Sequence, residues 1–210
     1  SDMIEVVVIG GGIMGCATAL ALRERGAAVN VVEAERPGAG ATGASAGMLA
    51  PQYESPGAGP LYRLGVTARD SWADFVGTIQ DLSGHRLHLR RDGMLVANRT
   101  EQEERAAIES VAWQRAEGQR AEVLEPDEAA GIQDGLGRDV ASWLWLPDEG
   151  QVDTQALAEA LPAALAATEI RVIAGARVDR VLTGGGAVRG VALEDGHRAW
   201  SSPIYLIAAP

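Results

Sequence analysis

The sequence predicts an α/β fold that opens with a βαβ unit, ends in a β-meander, and carries an α+β segment in between. Three observations predict it. Glu5 to Ile9 is a Val/Ile run of the kind that forms a strand buried on both faces, and Gly10, Gly11 and Gly12 close it. Ile13 to Arg25 then sets small residues and leucines at helical spacing, with Gly26 as the stop, ahead of a second apolar strand at Ala28 to Val32. Near the carboxyl end, strand candidates at Arg171 to Leu182, Val188 to Glu194 and Ala199 to Ala209 are separated by Gly184-Gly185-Gly186 and Asp195-Gly196, which reads as a meander.

The elements between follow from composition and period. Pro37 to Pro60 is rich in Gly, Ala, Ser and Pro and suits a loop with a short helix, where backbone can approach a ligand. Leu64, Ala68, Trp72, Phe75 and Ile79 recur at helical spacing, so a helix is expected over Leu61 to Leu82. Leu87 to Asn98, with Asp92-Gly93 inside it, reads as a β-hairpin. Glu101 to Ala116 has the charge distribution of an exposed amphipathic helix. Val140 to Leu146 alternates like a strand, and Thr154 to Ala167 is an alanine-rich helix.

Charge and cysteine usage remove several classes of function. With 18 Lys and Arg against 29 Asp and Glu, the net charge is −11 and no basic cluster stands out, which argues against nucleic acid. A single cysteine, Cys16, excludes an intrachain disulfide framework and fits a reducing cytoplasm. No apolar run near the start is long enough for a membrane span or a secretory signal. His85 and His88 stand three apart with no third ligand nearby, so no metal site is expected.

The most informative pattern is Gly10, Gly12 and Gly15, a G-x-G-x-x-G placed between a predicted strand and a predicted helix. In a Rossmann-like unit the first glycine permits a tight turn, the second admits a pyrophosphate to the backbone, and the third lets helix and strand pack closely. The helix start then offers free N–H groups and the positive end of its dipole. Glu33 ends the second strand, where a carboxylate can accept hydrogen bonds from ribose hydroxyls. Together these predict an adenine dinucleotide without a 2′-phosphate, FAD or NAD rather than NADP.

The segment Gly40-Ala41-Thr42-Gly43-Ala44-Ser45-Ala46-Gly47-Met48-Leu49-Ala50-Pro51, following that fingerprint, resembles the D-amino-acid-oxidase superfamily of flavoproteins, and most of all its glycine oxidases of the thiamine-biosynthesis type. The resemblance implies FAD, held by a Rossmann-like FAD-binding βαβ domain with its β-meander, plus part of an α+β substrate domain. It implies contacts from Ile13 and Met14, from Glu33 and Ala34, from Ala41, Thr42, Ala46, Gly47 and Met48, and from the backbone of Val178. Thr42 and Ser45 are candidates for hydroxyl bonds to phosphate, with a loop cap the equal alternative for Ser45. Looser matches at Arg91 to Leu95, Leu124 to Pro126 and Pro147 to Asp153 extend the resemblance along the chain. The expected division is 1–83 with 154–210 as the FAD-binding domain and 84–153 as a partial substrate domain.

By the same resemblance the activity is oxidative deamination of an amine or small amino acid, with hydride transfer to flavin, O2 as acceptor and H2O2 as product. The alternatives are a D-amino-acid dehydrogenase, a sarcosine-type oxidase, an NAD-dependent dehydrogenase, or an FAD-binding module without turnover. Assembly into homo-oligomers is also implied, without a subunit number. No residue present stands out as catalytic. Cys16 reads as small-residue packing, and Arg63, Arg69, Arg86, Arg90 and Arg91 as surface, with Arg90 or Arg91 the ones to border a substrate cavity. The family's substrate-carboxylate arginine belongs to a portion absent from this sequence, and Pro210 stands where the family has glycine. The expectation is therefore a fragment or altered terminus that does not turn over alone.

Overall fold

The structure is a computed structural model that describes residues 5–137, 139–200 and 203–207, the strands after residue 197 by their backbone alone. In chain order the elements begin β1 (Glu5–Ile9), α1 (Ile13–Glu24), β2 (Ala28–Val32), α2 (Ala41–Ala44), β3 (Met48–Leu49), α3 (Pro51–Glu54) and α4 (Pro60–Ser83). There follow β4 (Leu89–Arg90), β5 (Met94–Asn98), α5 (Glu101–Ala116), β6 (Glu122–Leu124), α6 (Pro126–Ala130), β7 (Ser142–Leu146) and β8 (Gly150–Val152). The last part comprises α7 (Thr154–Ala166), β9 (Arg171–Ile173), β10 (Val178–Gly184), β11 (Ala187–Leu193), β12 (Arg198–Trp200) and β13 (Pro203–Ile207). The chain divides into two compact units, Ser1–Ala46 with Phe75–His88 and Asp153–Pro210, and Gly47–Asp74 with Leu89–Val152.

The first unit is built on a parallel sheet in the order β13-β1-β2-β9. Val6, Val7 and Val8 of β1 and Val29, Val31 and Val32 of β2 are buried because both faces of these strands are covered. Val7 joins Val32, Val191 and Leu193 in a core against the antiparallel β10-β11-β12 meander, while Val8 points towards α1, close to Gly15. Helix α7 contributes Leu157, Leu161 and Leu165, each at most 2% exposed and each stabilising by about 2–3 kcal/mol. Its start is fixed by Asp153, whose carboxylate accepts from the N–H groups of Gln155 and Ala156 at 3.1 and 3.0 Å.

The second unit holds two small antiparallel sheets, β3-β8-β4 and β5-β7-β6. Helix α5 starts at a capping box formed by Thr100 and Glu103 and lays Ala107 and Val111 on Leu144 and Leu146. The opposite face of that sheet packs Trp143 with Leu124 and Ala129. At the heart of this unit is a cluster of fully buried polar side chains, Gln52, Arg69, Gln114 and Glu149. The Arg69 guanidinium donates to Gln52 Oε1 at 2.6 Å, Glu149 Oε1 at 3.0 Å, Gln119 Oε1 at 2.9 Å and Asp70 Oδ1 at 3.0 Å. Gln52 in turn donates to Gln114 Oε1 at 2.7 Å. Burial raises the Glu149 carboxyl above its ordinary range, against the lowering pull of Arg69.

Five sequence expectations differ from the structure. Leu87 to Asn98 is not a hairpin: β4 pairs with β8 and β5 with β7, in separate sheets. Asp92-Gly93 redirects the chain between them, with the side of Gly93 closed by Trp145. The expected strand from Arg171 to Leu182 breaks at 174–177, so β9 joins the parallel sheet and β10 opens the meander, and the last expected strand likewise splits into β12 and β13. The segment 47–74 packs in the second unit, because β3 pairs with β8 and Gln52 and Arg69 belong to the buried cluster. Arg69 is 4% exposed rather than solvated. The expectation at Pro210 lies outside the described residues.

A buried charge deprived of its partner is costly, whereas the pair itself adds little net stability. Arg69→Met is therefore expected to destabilise the chain by about 3–5 kcal/mol, measured by urea unfolding.

Candidate cofactor site

The site grows from the end of β1. Gly10, with φ of 95°, turns the chain in a conformation open to glycine alone, and its N–H donates to Val32 O at 2.8 Å. Helix α1 then starts at Gly12 without a local side-chain cap. Gly15 sits so near the turn that an added Cβ would lie 1.9 Å from Gly10 O. The helix start thus lies directly over the strand end.

Two side chains from elsewhere lock this turn. The Glu33 carboxylate accepts from Gly11 N at 2.5 Å through one oxygen and from Glu35 N at 2.8 Å through the other. Thr42, 8% exposed on α2, accepts from Ile13 N at 3.0 Å. The N–H groups of Gly12, Met14 and Gly15 find no acceptor among the described residues. Because they sit at the positive end of a helix, these donors suit an anion with several oxygens.

A cavity of about 440 Å³ opens over this turn. Of the residues singled out from the sequence, Gly10, Gly12, Ile13, Met14, Glu33, Ala34, Ala41, Thr42 and Val178 line it. Gly15 acts from beneath, by permitting the close approach. Ser45 and Ala46 are exposed beyond α2, and Ser45 donates to Thr42 O at 3.0 Å as a loop cap. Gly47 and Met48 belong to the second unit, where Met48 is 43% exposed and pairs with Gln151. Sequence reasoning missed Glu35, Ala39, Gly40 and Arg177, which also line the cavity. The repeat Gly38-Ala39-Gly40 was the available signal: Gly38 has φ of 81°, and a Cβ there would lie 2.3 Å from Ala158 O.

Cys16 is fully buried, and its thiol donates to Gly11 O at 3.2 Å. Burial, followed by the nearby Glu33 charge, pushes it up to about 12 from 9.0. It is a packing residue with a weak hydrogen bond to the loop, not a nucleophile.

The open amides, the glycine-floored turn and the carboxylate at the end of β2 define a dinucleotide-binding α/β protein. The chain belongs to the DAO family, FAD-dependent oxidoreductases, whose family model matches residues 5–209. The cofactor of that family is FAD. A bifunctional ThiO/ThiG protein of Nostoc sp. is 34% identical over 193 residues, covering 91% of this chain and 29% of the relative. Glycine oxidase of Geobacillus kaustophilus is 29% identical over 163 residues, covering 77% of this chain and 43% of the relative. The crystal structure of glycine oxidase from Geobacillus kaustophilus superimposes with a TM-score of 0.88 at 24% identity, covering 99% of this chain and 56% of that one. Glycine oxidase from Bacillus cereus gives 0.85 at 22% identity, over 98% and 55%. At such identities the superpositions establish the shared fold. No described helix is long and apolar enough to cross a membrane.

Two outcomes are expected here. Gly15→Ala forces backbone apart and is expected to cost at least about 1–3 kcal/mol, read from its thermal unfolding. The folded chain keeps the Cys16 proton up to about pH 12, whereas the unfolded chain releases it near 9.0. Stability should therefore fall as pH rises through that window, and less so in Cys16→Ala. In native buffer the thiol should react with alkylating reagents only on unfolding.

Proposed function

We propose that this chain is the cofactor-binding part, with some of the substrate domain, of a glycine-oxidase-like FAD enzyme acting on amines or small amino acids. One observation carries the reading: Gly12 and Met14, whose N–H groups find no acceptor among the described residues, and the Glu33 carboxylate line one cleft. The kinship with glycine oxidases supplies the substrate class. We assign cofactor binding to the first compact unit and substrate contacts to the second.

When bound, FAD supplies an acceptor for the hydride leaving the carbon that bears the amine. The chain's own residues bind and orient. The Gly12 and Met14 amides would donate to the diphosphate, and the Thr42 hydroxyl, having accepted from Ile13, would still have a proton to donate to a phosphate oxygen. Glu33 keeps lone pairs for the ribose hydroxyls beyond those given to Gly11 and Glu35. Ala34 and Val178 offer an apolar wall for the adenine. Met48 sets the shape of the substrate side, and no side chain of this chain is assigned a proton transfer.

The finer reading is an oxidase that passes electrons to O2 and yields H2O2. A D-amino-acid dehydrogenase or sarcosine-type oxidase would differ in acceptor and pocket. Cofactor binding without turnover is the remaining reading, and the chain spans 56% of the solved glycine oxidase. Homo-oligomer assembly belongs to the same proposal.

The absorbance spectrum of the purified chain, reconstituted with FAD, tests the reading. Flavin bands that stay with the protein through gel filtration are expected. Glu33→Lys should weaken FAD binding at least about tenfold, on the order of 1.4 kcal/mol. A colourless protein that retains NAD instead would overturn the proposal. Peroxide release from glycine, sarcosine and D-alanine, set against dye reduction alone, separates the oxidase, dehydrogenase and binding-only readings.

A further inference from the structure

The sheet β3-β8-β4 has too few backbone bonds to hold its own register. Its two pairings comprise Met48 with Gln151 and Leu49 with Gly150 on one side, and Leu89 with Val152 and Arg90 with Gln151 on the other. A slip by one residue would turn every side chain of β8 to the opposite face. Something beyond the ladder has to choose the alignment.

The buried cluster lies at the entrance to this sheet. Glu149 immediately precedes β8 and is fully buried, and its backbone carbonyl accepts from Gly93 N at 3.1 Å. Its Oε1 accepts from Arg69 at 3.0 Å and from Gln52 N at 3.4 Å, three residues beyond the end of β3. Arg69 also donates to the Gln52 side chain at 2.6 Å, so one guanidinium grips the segments leaving β3 and entering β8. The Tyr53 backbone also favours the charged Glu149 carboxylate, and an added Cβ at Gly150 would lie 2.4 Å from Arg90 O.

We infer that Arg69 and Glu149 are positioning residues that fix the register of β3-β8-β4, and with it the placement of Met48 and Arg90. Any slip carries Glu149 away from Arg69 and leaves the buried Glu149 carboxylate unpaired, with Arg69 keeping only the half-exposed Asp70 as counter-charge, so alternative alignments are disfavoured by electrostatics rather than by the ladder. The consequence for function rests on the reading above, in which Met48 shapes the substrate side. The register claim itself does not.

The test is hydrogen exchange on the 210-residue chain without added cofactor, following the Val152 amide, which donates to Gly47 O at 2.9 Å across β3 and β8. The double variant Arg69→Met/Glu149→Leu removes both charges together. It is expected to unfold cooperatively, with Val152 exchanging at least about tenfold faster relative to the amides of β5-β7-β6. Arg69→Lys keeps the charge but loses the planar fork, and is expected to loosen Val152 at least about threefold. It decides the matter if the double variant does not fold. Unchanged exchange at Val152 in a folded variant, or equal acceleration throughout the second unit, would overturn the inference. Failure to bind FAD would sink the functional reading and leave this result standing.

Discussion

The missing side chain at residue 15 is the constraint on which the first unit depends. An ordinary Cβ there would overlap Gly10 O, so the first turn of α1 comes down directly onto the end of β1 only because hydrogen stands in its place. That approach carries Val8 against the helix and leaves Val7 for the meander core. It also holds Gly12 and Met14, with their open N–H groups, at the rim of the cavity. The packing of the sheet and the geometry of the site are thus one fact, because the helix that covers the strand is the helix whose start lines the cavity.

The two units treat buried polarity in opposite ways. In the first, donors at the start of α1 are left unanswered by protein, at a cost that a bound anion would repay. In the second, a full charge pair is enclosed and almost completely hydrogen-bonded, with Arg69 answered by Gln52, Gln119, Asp70 and Glu149. Open donors suit a site that waits for a ligand, whereas enclosed charges suit a joint that should not move.

Much of this was legible in the sequence because it rests on local periodicity. The Val runs of β1 and β2, the alanine-rich run of α7 and the charge pattern of α5 each encode their element within a few neighbours. The dinucleotide turn was equally visible, since Gly10, Gly12, Gly15 and Glu33 sit at spacings set by one strand-helix-strand crossing. Partnership over long separations was not visible. A strong turn at Asp92-Gly93 looks the same whether its strands pair with each other or, as here, with β8 and β7. The apolar stretch after Arg171 gives no sign that its first three residues extend the parallel sheet while its later ones begin another. Arg69 is charged and lies on an amphipathic helix, so surface was the reasonable expectation. Its partner Glu149 is 80 residues away, and no local pattern announces a buried pair.

Glu33 illustrates how one residue can serve both fold and ligand. A carboxylate at the end of β2 has roughly four lone-pair positions, and the loop takes two of them through Gly11 N and Glu35 N. Those bonds fix the carboxylate before any nucleotide arrives, so little side-chain entropy remains to be lost on binding. They also tie the carboxylate we assign to the sugar to the glycine turn we assign to the phosphates. Moving Glu33 would therefore disturb both ends of the recognition at once, and the distance between phosphate and ribose contacts is set by the protein's own hydrogen bonds. That arrangement favours a ligand in which diphosphate and ribose are covalently joined over the separate pieces, because only the joined molecule gains from a spacing fixed in advance.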